Sequence, residues 1–364
     1  MIRVMVVDDS ALVRRIATDI LEADPEITVT ATAATAEFAL AKLARERPDV
    51  ITLDLEMPGM GGLEAIRRIM TTLPTPIIVM SAFAQKGAEL TLQALEAGAM
   101  DFVLKPANSL SGGIPAIAQE LVEKVKDAAR IVLPRADGPA VDAGARSPRA
   151  VEPPAPPLPL QAISGDGFDL VAIGTSTGGP VALKTVLSGL PGDFPVGVVV
   201  VQHMPPVFTK AFADRLDTVC AIRVKEAADG DPILPGTVLI APGNWHMKVT
   251  RFGTEPRVIL NQEENVNGHR PSVDVLVKSV AREYGSRAMG VIMTGMGRDG
   301  ADGMRELRTR GGRIIAQDKA TSVIFGMNKE VVQNGDAHEV VPVGEIAARL
   351  VACVRGGVAA RRTG

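Results

Sequence analysis

Short apolar runs alternate with helix-patterned segments along nearly the whole chain, and that alternation admits few architectures. In the first hundred residues the runs are IRVMVV (2–7), ITVTAT (27–32), DVITLDL (49–55), PIIVMS (76–81) and DFVLKP (101–106). Between them stand ALVRRIATDILEA, AEFALAKLARE, GLEAIRRIMTTL and AELTLQALEAG, and IPAIAQELVEKVKDAARIVL follows the fifth run. Five β–α units in succession predict a parallel sheet covered on both faces. The rhythm stops at 134–162, PRADGPAVDAGARSPRAVEPPAPPLPLQA, where Pro and Ala dominate and no apolar face recurs, as in a semi-rigid or disordered linker. It resumes with FDLVAI (168–173), VGVVVVQ (196–202), AIRVKEA (221–227), TVLIA (237–241), GVIMT (290–294) and GRIIAQ (312–317). HMKVT (246–250) and RVILNQ (257–262) have the pattern of a β-hairpin excursion.

The 364 residues therefore divide into two α/β domains. The first is a (βα)5 unit over 1–125. Residues 126–167 hold the end of its last helix and the linker. A doubly wound, mostly parallel α/β domain with the hairpin excursion occupies 168–356, and 357–364 form a tail.

Composition narrows the function. A net charge of −3 leaves no electrostatic footprint for nucleic acid, and 3% aromatic residues give no base-stacking platform. Cys220 and Cys353 lack metal or redox spacing and read as buried thiols in a reducing cytoplasm. The opening MIRVMVVDDS sets two acids after a short apolar run, unlike a signal peptide, and runs such as VGVVVV are too short to span a bilayer. A cytoplasmic protein without membrane insertion is expected.

Chemistry-bearing residues gather at strand ends. In the first domain these are Asp8 and Asp9 after strand one, Asp54 at strand three, Ser81 at strand four and Lys105 at strand five. The carboxyl ends of parallel strands line the ligand crevice, so these five should converge. Three carboxylates without thiol or imidazole suit a hard cation such as Mg²⁺. Such a cation would neutralise a phosphoryl group arriving on a carboxylate nucleophile, with Lys105 and Ser81 as further contacts.

In the second domain, VAIGTSTGGPVAL (171–183) passes from strand to glycine turn to helix. A phosphate-binding P-loop needs Lys directly after its glycines, but Pro180 and Val181 stand there. The spacing of Gly174, Gly178 and Gly179 is not that of a dinucleotide fingerprint. G-T-S-T-G does fit G-x-S-x-G, which presents Ser176 at the top of a sheet as a nucleophile. A nucleophilic serine needs a base and an orienting acid. Of His203, His246, His269 and His338, only His203 in VVVVQHMPP follows the next strand on the same carboxyl edge. The acid comes from VIMTGMGRDGADGM, which offers Asp299 and Asp302. The order Ser…His…Asp departs from the usual α/β-hydrolase order of Ser…Asp…His.

DDS, LDLEMPG, MSA and KPA resemble the receiver domain of two-component response regulators over roughly 1–125. The resemblance implies that Asp54 accepts a phosphoryl group from a histidine kinase. It implies Asp8, Asp9 and the Glu56 backbone carbonyl as Mg²⁺ partners, and Ser81 with Phe102 as a switch pair. Periodicity alone makes Phe102 a core residue. GTSTGG, QHMPP, HRPSVD and TGMGRDG together resemble the catalytic domain of the chemotaxis protein-glutamate methylesterases over roughly 168–352. That resemblance implies Ser176 as nucleophile, His203 as base and Asp299 rather than Asp302 as the orienting acid, with the Met296 and Thr177 backbone N–H groups as oxyanion donors. It further implies methyl-accepting chemoreceptors as substrate, glutamine deamidation as a second activity, and no cofactor for the esterase step. The competing readings are a binding module with an inert serine turn, a DNA-binding regulator, and a hydrolase acting on some other protein.

Overall fold

The computed structural model describes residues 1–105, 114–131, 167–252 and 255–362. The Pro- and Ala-rich stretch at 134–162 lies outside the described residues.

The first domain is built from β1 (Ile2–Val7), α1 (Ala11–Glu22), β2 (Ile27–Ala33), α2 (Ala36–Glu46), β3 (Val50–Asp54), α3 (Gly62–Thr72), β4 (Ile77–Ser81), α4 (Gln85–Glu96), β5 (Asp101–Leu104) and α5 (Ile114–Ala128). Its strands are all parallel in the order β2-β1-β3-β4-β5, which is the doubly wound arrangement with its crevice where β1 and β3 diverge. The inner strands β3 and β4 are buried on both faces, which explains why they read as unbroken apolar runs instead of alternating ones. Local chemistry sets the helix starts: the Ser10 and Thr35 hydroxyls accept from the backbone N–H groups of Val13 and Phe38 at the heads of α1 and α2.

The second domain runs β6 (Leu170–Thr175), α6 (Gly179–Ser188), β7 (Gly197–Gln202), α7 (Phe208–Val219), β8 (Arg223–Glu226), β9 (Thr237–Ile240), β10 (His246–Phe252), β11 (Glu255–Asn261), α8 (Val273–Tyr284), β12 (Ala288–Ile292), α9 (Ala301–Thr309), β13 (Arg313–Gln317), α10 (Met327–Gln333), β14 (Glu339–Val341) and α11 (Val343–Arg362). Seven strands form one parallel sheet in the order β14-β13-β12-β6-β7-β9-β8, and β10 pairs antiparallel with β11 as a separate hairpin. The first strand, β6, lies between β7 and β12. The chain therefore winds out in both directions from β6, and the crevice of the sheet opens at its carboxyl end.

Two features differ from expectation. The run expected as a strand over 290–294 is β12 at 288–292, because Met293 and Thr294 leave the strand: the Met293 N–H donates to the Gly174 carbonyl and the Thr294 N–H to Gln317 Oε1. The three-residue edge strand β14 was not expected at all, since its two neighbours, His338 and Pro342, carry no apolar signal.

The domains share apolar surface. One contiguous buried cluster contains Leu92, Leu95 and Phe102 of the first domain and Leu183, Phe208 and Phe212 of the second. Phe102 and Phe208 stack with ring centroids 4.6 Å apart and planes at 15°. At its edge, Glu96 of α4 accepts from Lys184 of α6 (2.8 Å) and from Arg215 Nε of α7 (3.0 Å). The Arg215 hydrogen bond holds the Glu96 carboxyl below the usual range. Replacing Glu96 with Arg would set three cations together at this edge. The expected outcome is a larger radius of gyration by small-angle scattering at low salt, returning toward wild type in molar salt as the repulsion is screened.

Candidate active site and phosphoacceptor pocket

The carboxyl edge of the first sheet gathers the acids. Asp8 and Asp54 are buried and Asp9 is exposed, yet each offers an oxygen within 4.8 Å of the others. The Ser10 N–H donates to Asp8 Oδ1 (2.9 Å) and the Glu56 N–H to Asp54 Oδ1 (3.0 Å), which orients both carboxylates. Lys105 Nζ lies 2.7 Å from Asp54 Oδ2 and 3.0 Å from Asp8 Oδ2. Both are close ion pairs, and a carboxylate oxygen facing a single ammonium keeps acceptor capacity for a further cation. Burial pushes the Asp8 carboxyl up, Lys105 pulls it down, and the Asp54 charge pushes it up again. An all-carboxylate set with unused, mutually repelling oxygens fits Mg²⁺. Ser81 points away toward α4, where its Oγ accepts from Thr91 Oγ1 at 2.7 Å. Phe102 is buried, as its periodicity implies, because its ring lies against Phe208.

In the second domain three strand ends meet. β6 delivers Ser176 into a turn that only small residues permit. Gly178 has φ +76°, in the left-handed region, and a Cβ on Gly179 would lie 2.0 Å from Gln202 Oε1. Gln202, the last residue of β7, clamps that turn by donating from Nε2 to the carbonyls of Ser176 and His203, both at 3.0 Å. Gly295 packs against the serine so closely that a Cβ there would come within 2.8 Å of Ser176 Cβ. The loop carrying Met296 therefore borders the serine directly. Among the described residues, the Thr177 and Met296 N–H groups are not taken up by the hydrogen bonds of this loop cluster.

His203 follows β7, and its Nε2 lies 2.8 Å from Asp299 Oδ2. Among the described residues the other ring nitrogen, Nδ1, is buried without a hydrogen-bond partner. Asp302 is exposed and pairs with Arg298 instead, so of the two candidate acids only Asp299 reaches a histidine. Asp299 sits at the N-terminus of α8. Its Oδ2 accepts from the Val273 N–H (2.6 Å), and its Oδ1 from Ser272 Oγ (2.8 Å), Asn267 Nδ2 (2.9 Å) and the Asp274 N–H (3.2 Å). Burial works to raise its carboxyl, but His203, Asn267 and Ser272 outweigh it and hold the group well below the usual carboxylate range.

The other histidines stand apart in role. His246 is fully buried, accepting from the Ser272 N–H at Nδ1 and bonding the Glu264 carbonyl through Nε2. His338 accepts from the Ile314 N–H next to β14. His269 stacks on His203 with ring centroids 3.8 Å apart and planes at 16°. Sequence reasoning passed over Gln202, Asn267, Ser272 and Thr294. Of these, Asn267 carried a signal as the first residue of an Asn-Gly turn and Ser272 as a helix cap, though neither signal pointed to Asp299.

The first domain reaches this site. Thr177 Oγ1 donates to Asp101 Oδ2 of β5 at 2.5 Å. The same Asp101 pairs with Lys124 of α5 at 3.2 Å, and Lys124 also pairs with Glu120. Burial would lower the Lys124 ammonium, but Asp101 and Glu120 hold it above its ordinary value. Val323, from the loop before α10, packs against the buried cluster of the first domain that includes Leu121 and Val125 of α5.

Comparison with known proteins places both halves. Residues 171–350 match the CheB methylesterase family, and residues 4–111 match the response regulator receiver domain. A protein-glutamate methylesterase/protein-glutamine glutaminase of Symbiobacterium thermophilum is 47% identical over 98% of both chains. A protein of Pseudomonas aeruginosa named protein-glutamate methylesterase/protein-glutamine glutaminase 2 is 45% identical over 96% of both. The crystal structure of the Thermotoga maritima CheB methylesterase catalytic domain, 43% identical, covers 51% of this chain and 98% of its own with a TM-score of 0.50.

The Asp299 environment has a pH consequence. Its folded carboxyl lies below the unfolded value of about 3.9, so its stabilisation is complete above about pH 5 and fades as pH falls through and below 4. Asp299→Asn should lower stability by about 1.5–3 kcal/mol at pH 7. Urea unfolding of the two proteins at pH 7, 5 and 3 should show that gap nearly constant between 7 and 5 and narrower at 3.

Proposed function

The chain belongs to the CheB methylesterase family, and from that premise we propose that it is a phosphorylation-activated serine esterase. Its substrates are glutamate 5-methyl esters on methyl-accepting chemotaxis receptors, and its product resets their methylation for adaptation. The observation that carries the reading is the His203–Asp299 pair at the end of β7, beside a serine that β6 presents in a glycine turn. The divisions follow the same reading: a receiver over 1–125, a connecting stretch over 126–167, a catalytic domain over 168–356 and a tail over 357–364.

Ser176 Oγ attacks the ester carbonyl. Asp299 accepts from His203 Nε2–H, which fixes the tautomer and leaves Nδ1 as the base that takes the serine proton. The imidazolium that forms is stabilised by the Asp299 carboxylate, itself kept ionised by His203, Asn267 and Ser272. The tetrahedral oxyanion is met by the Thr177 and Met296 N–H groups, each such donor being worth roughly 10²–10³ in turnover. Methanol leaves with the proton from His203. Water then attacks the acyl-enzyme and releases glutamate. A receptor glutamine enters the same sequence with ammonia as the leaving group, which accounts for a glutaminase activity. The esterase step needs no cofactor.

Control runs through Asp54 as phosphoacceptor, with a chemotaxis histidine kinase as phosphodonor. Asp8, Asp9 and Asp54, with the Glu56 carbonyl, would hold Mg²⁺, which would supply charge neutralisation at the incoming phosphoryl group. Lys105 pairs with that group, and Ser81 turns from Thr91 to contact it, with Phe102 as its switch partner. In the resting arrangement Asp101 occupies the Thr177 hydroxyl and Phe102 is stacked on Phe208, so movement of β5 reaches the oxyanion side of the site. A shift of a few kcal/mol between covered and open states is enough for switching. Among the described residues no helix is long and apolar enough to cross a membrane. The proposed action is in the cytoplasm, on receptor tails.

Methanol release from methylated receptor membranes tests the reading. Wild type should release methanol faster when acetyl phosphate is added. Ser176→Ala should lose release by a factor of at least about 10³. Asp54→Asn should keep its basal rate and gain nothing from the phosphodonor. Normal stimulation of Asp54→Asn would refute the control mechanism, and undiminished release by Ser176→Ala would refute the catalytic one.

A further inference from the structure

A two-residue turn outside the triad touches both of its ionisable members. Val266 and His269 exchange backbone hydrogen bonds of 3.1 and 3.0 Å across Asn267-Gly268. Both central residues have positive φ, +53° at Asn267 and +83° at Gly268, which is the tight hairpin turn that the pair Asn-Gly favours. The far end is anchored by Arg270, whose Nη1 donates to the carbonyls of Gln262 (3.0 Å) and Glu263 (2.9 Å) and whose Nε donates to Asn244 Oδ1 (3.1 Å). The turn is therefore held on both sides, and its two side chains leave it in fixed directions.

Those directions are toward the acid and toward the base. Asn267 Nδ2 donates to Asp299 Oδ1 at 2.9 Å and to Asp274 Oδ2 at 2.8 Å, while Asp274 Oδ1 accepts from the Gly303 N–H. The His269 ring lies flat on His203. One hydrogen bond, from Nε2 to Asp299, cannot by itself fix an imidazole, because the ring can still pivot about that bond. A flat ring at 3.8 Å removes the pivot and aims Nδ1. Burial, together with the nearby His203 and Lys124, holds His269 down to about 4, so it stays neutral and does not repel His203 when that ring gains a proton in the reaction.

We propose that the Asn267-Gly268 turn is a positioning element for catalysis, in which His269 acts as a flat backing plate for His203 while Asn267 fixes the carboxylate of Asp299. Neither side chain touches substrate. The proposal rests on the triad reading given above, and it predicts that ring planarity at 269 matters more than the imidazole nitrogens.

The test compares His269→Phe with His269→Leu in the full-length protein. Both fill the space, but only Phe keeps a flat ring. Methanol release is measured with acetyl phosphate over a range of methylated receptor concentrations, with Asn267→Ala and Ser176→Ala alongside and thermal melts for each. A misplacement of about 1 Å can cost about 10² in rate, so His269→Leu should lose roughly 10–100-fold in kcat with KM within about twofold of wild type. His269→Phe should retain at least about tenfold more kcat than His269→Leu, and Asn267→Ala should also lose kcat at unchanged KM. Equal kcat for Phe and Leu, or a loss confined to KM, would overturn the plate. If His269→Leu does not fold, Asn267→Ala decides, and wild-type kcat there overturns the element. Release that survives in Ser176→Ala would sink the triad reading itself, whereas release that needs Ser176 but ignores position 269 would sink only this proposal.

Discussion

The second domain is organised around one buried carboxylate at a helix head. Asp299 accepts from five donors supplied by three segments: His203 after β7, Asn267 in a turn, and Ser272, Val273 and Asp274 at the start of α8. A buried charge without partners would be untenable, and removing one partner of such a set costs more than the set as a whole contributes. The same five bonds that make the charge tolerable also fix the spacing between β7, β12 and α8. The crevice therefore has little freedom to change width. Its chemistry and its local stability are one arrangement, which is why a polar cluster is found where the rest of the sheet is apolar.

Both domains solve a similar problem in opposite ways. In the first, Asp8 and Asp54 are buried with incomplete hydrogen bonding and one cation between them. That pocket is electrostatically unfinished, as the proposed cation and phosphoryl group require. In the second, the acid is saturated while His203 Nδ1 is left open. On the proposed function, readiness for a ligand resides in the unfinished site, and readiness for proton transfer in the finished one.

Much of this was legible in the sequence. Strand runs buried on both faces announce a parallel sheet, and topology then delivers Asp54, Ser176, His203 and Asp299 to carboxyl edges without further information. The choice between Asp299 and Asp302 was different: spacing left it open, and it took the motif resemblance to favour Asp299, which is the one that faces His203. What escaped was whatever depends on contacts distant in sequence. Gln202 reads as the polar end of an apolar strand, yet it clamps the serine turn. Ser272 reads as a helix cap, which it also is, and its hydroxyl serves Asp299 as well. The bond between Asp101 and Thr177 joins residues 76 positions apart, and no local periodicity encodes it. Phe102 was legible twice, as core by periodicity and as part of a switch pair by resemblance, and its stacking on Phe208 at the domain boundary is compatible with both.

The four residues of β5 have a consequence for how the two halves can be exchanged. Asp101 at its start touches the serine loop, Phe102 beside it stacks on α7, and Lys105 just past its end pairs with Asp54. At about 3.3 Å per residue, some 13 Å of backbone serve two chemistries. The strand is thus shared property, and the boundary between the halves does not coincide with the connecting stretch. A hybrid made by joining another receiver at that stretch would carry a foreign β5 and α4 into contacts shaped for these, and would inherit neither Asp101 nor Glu96 by default. Recombination that respects the apparent modules would break the functional ones, so exchange between relatives has to carry this strand's partners on α6 and α7 along with it.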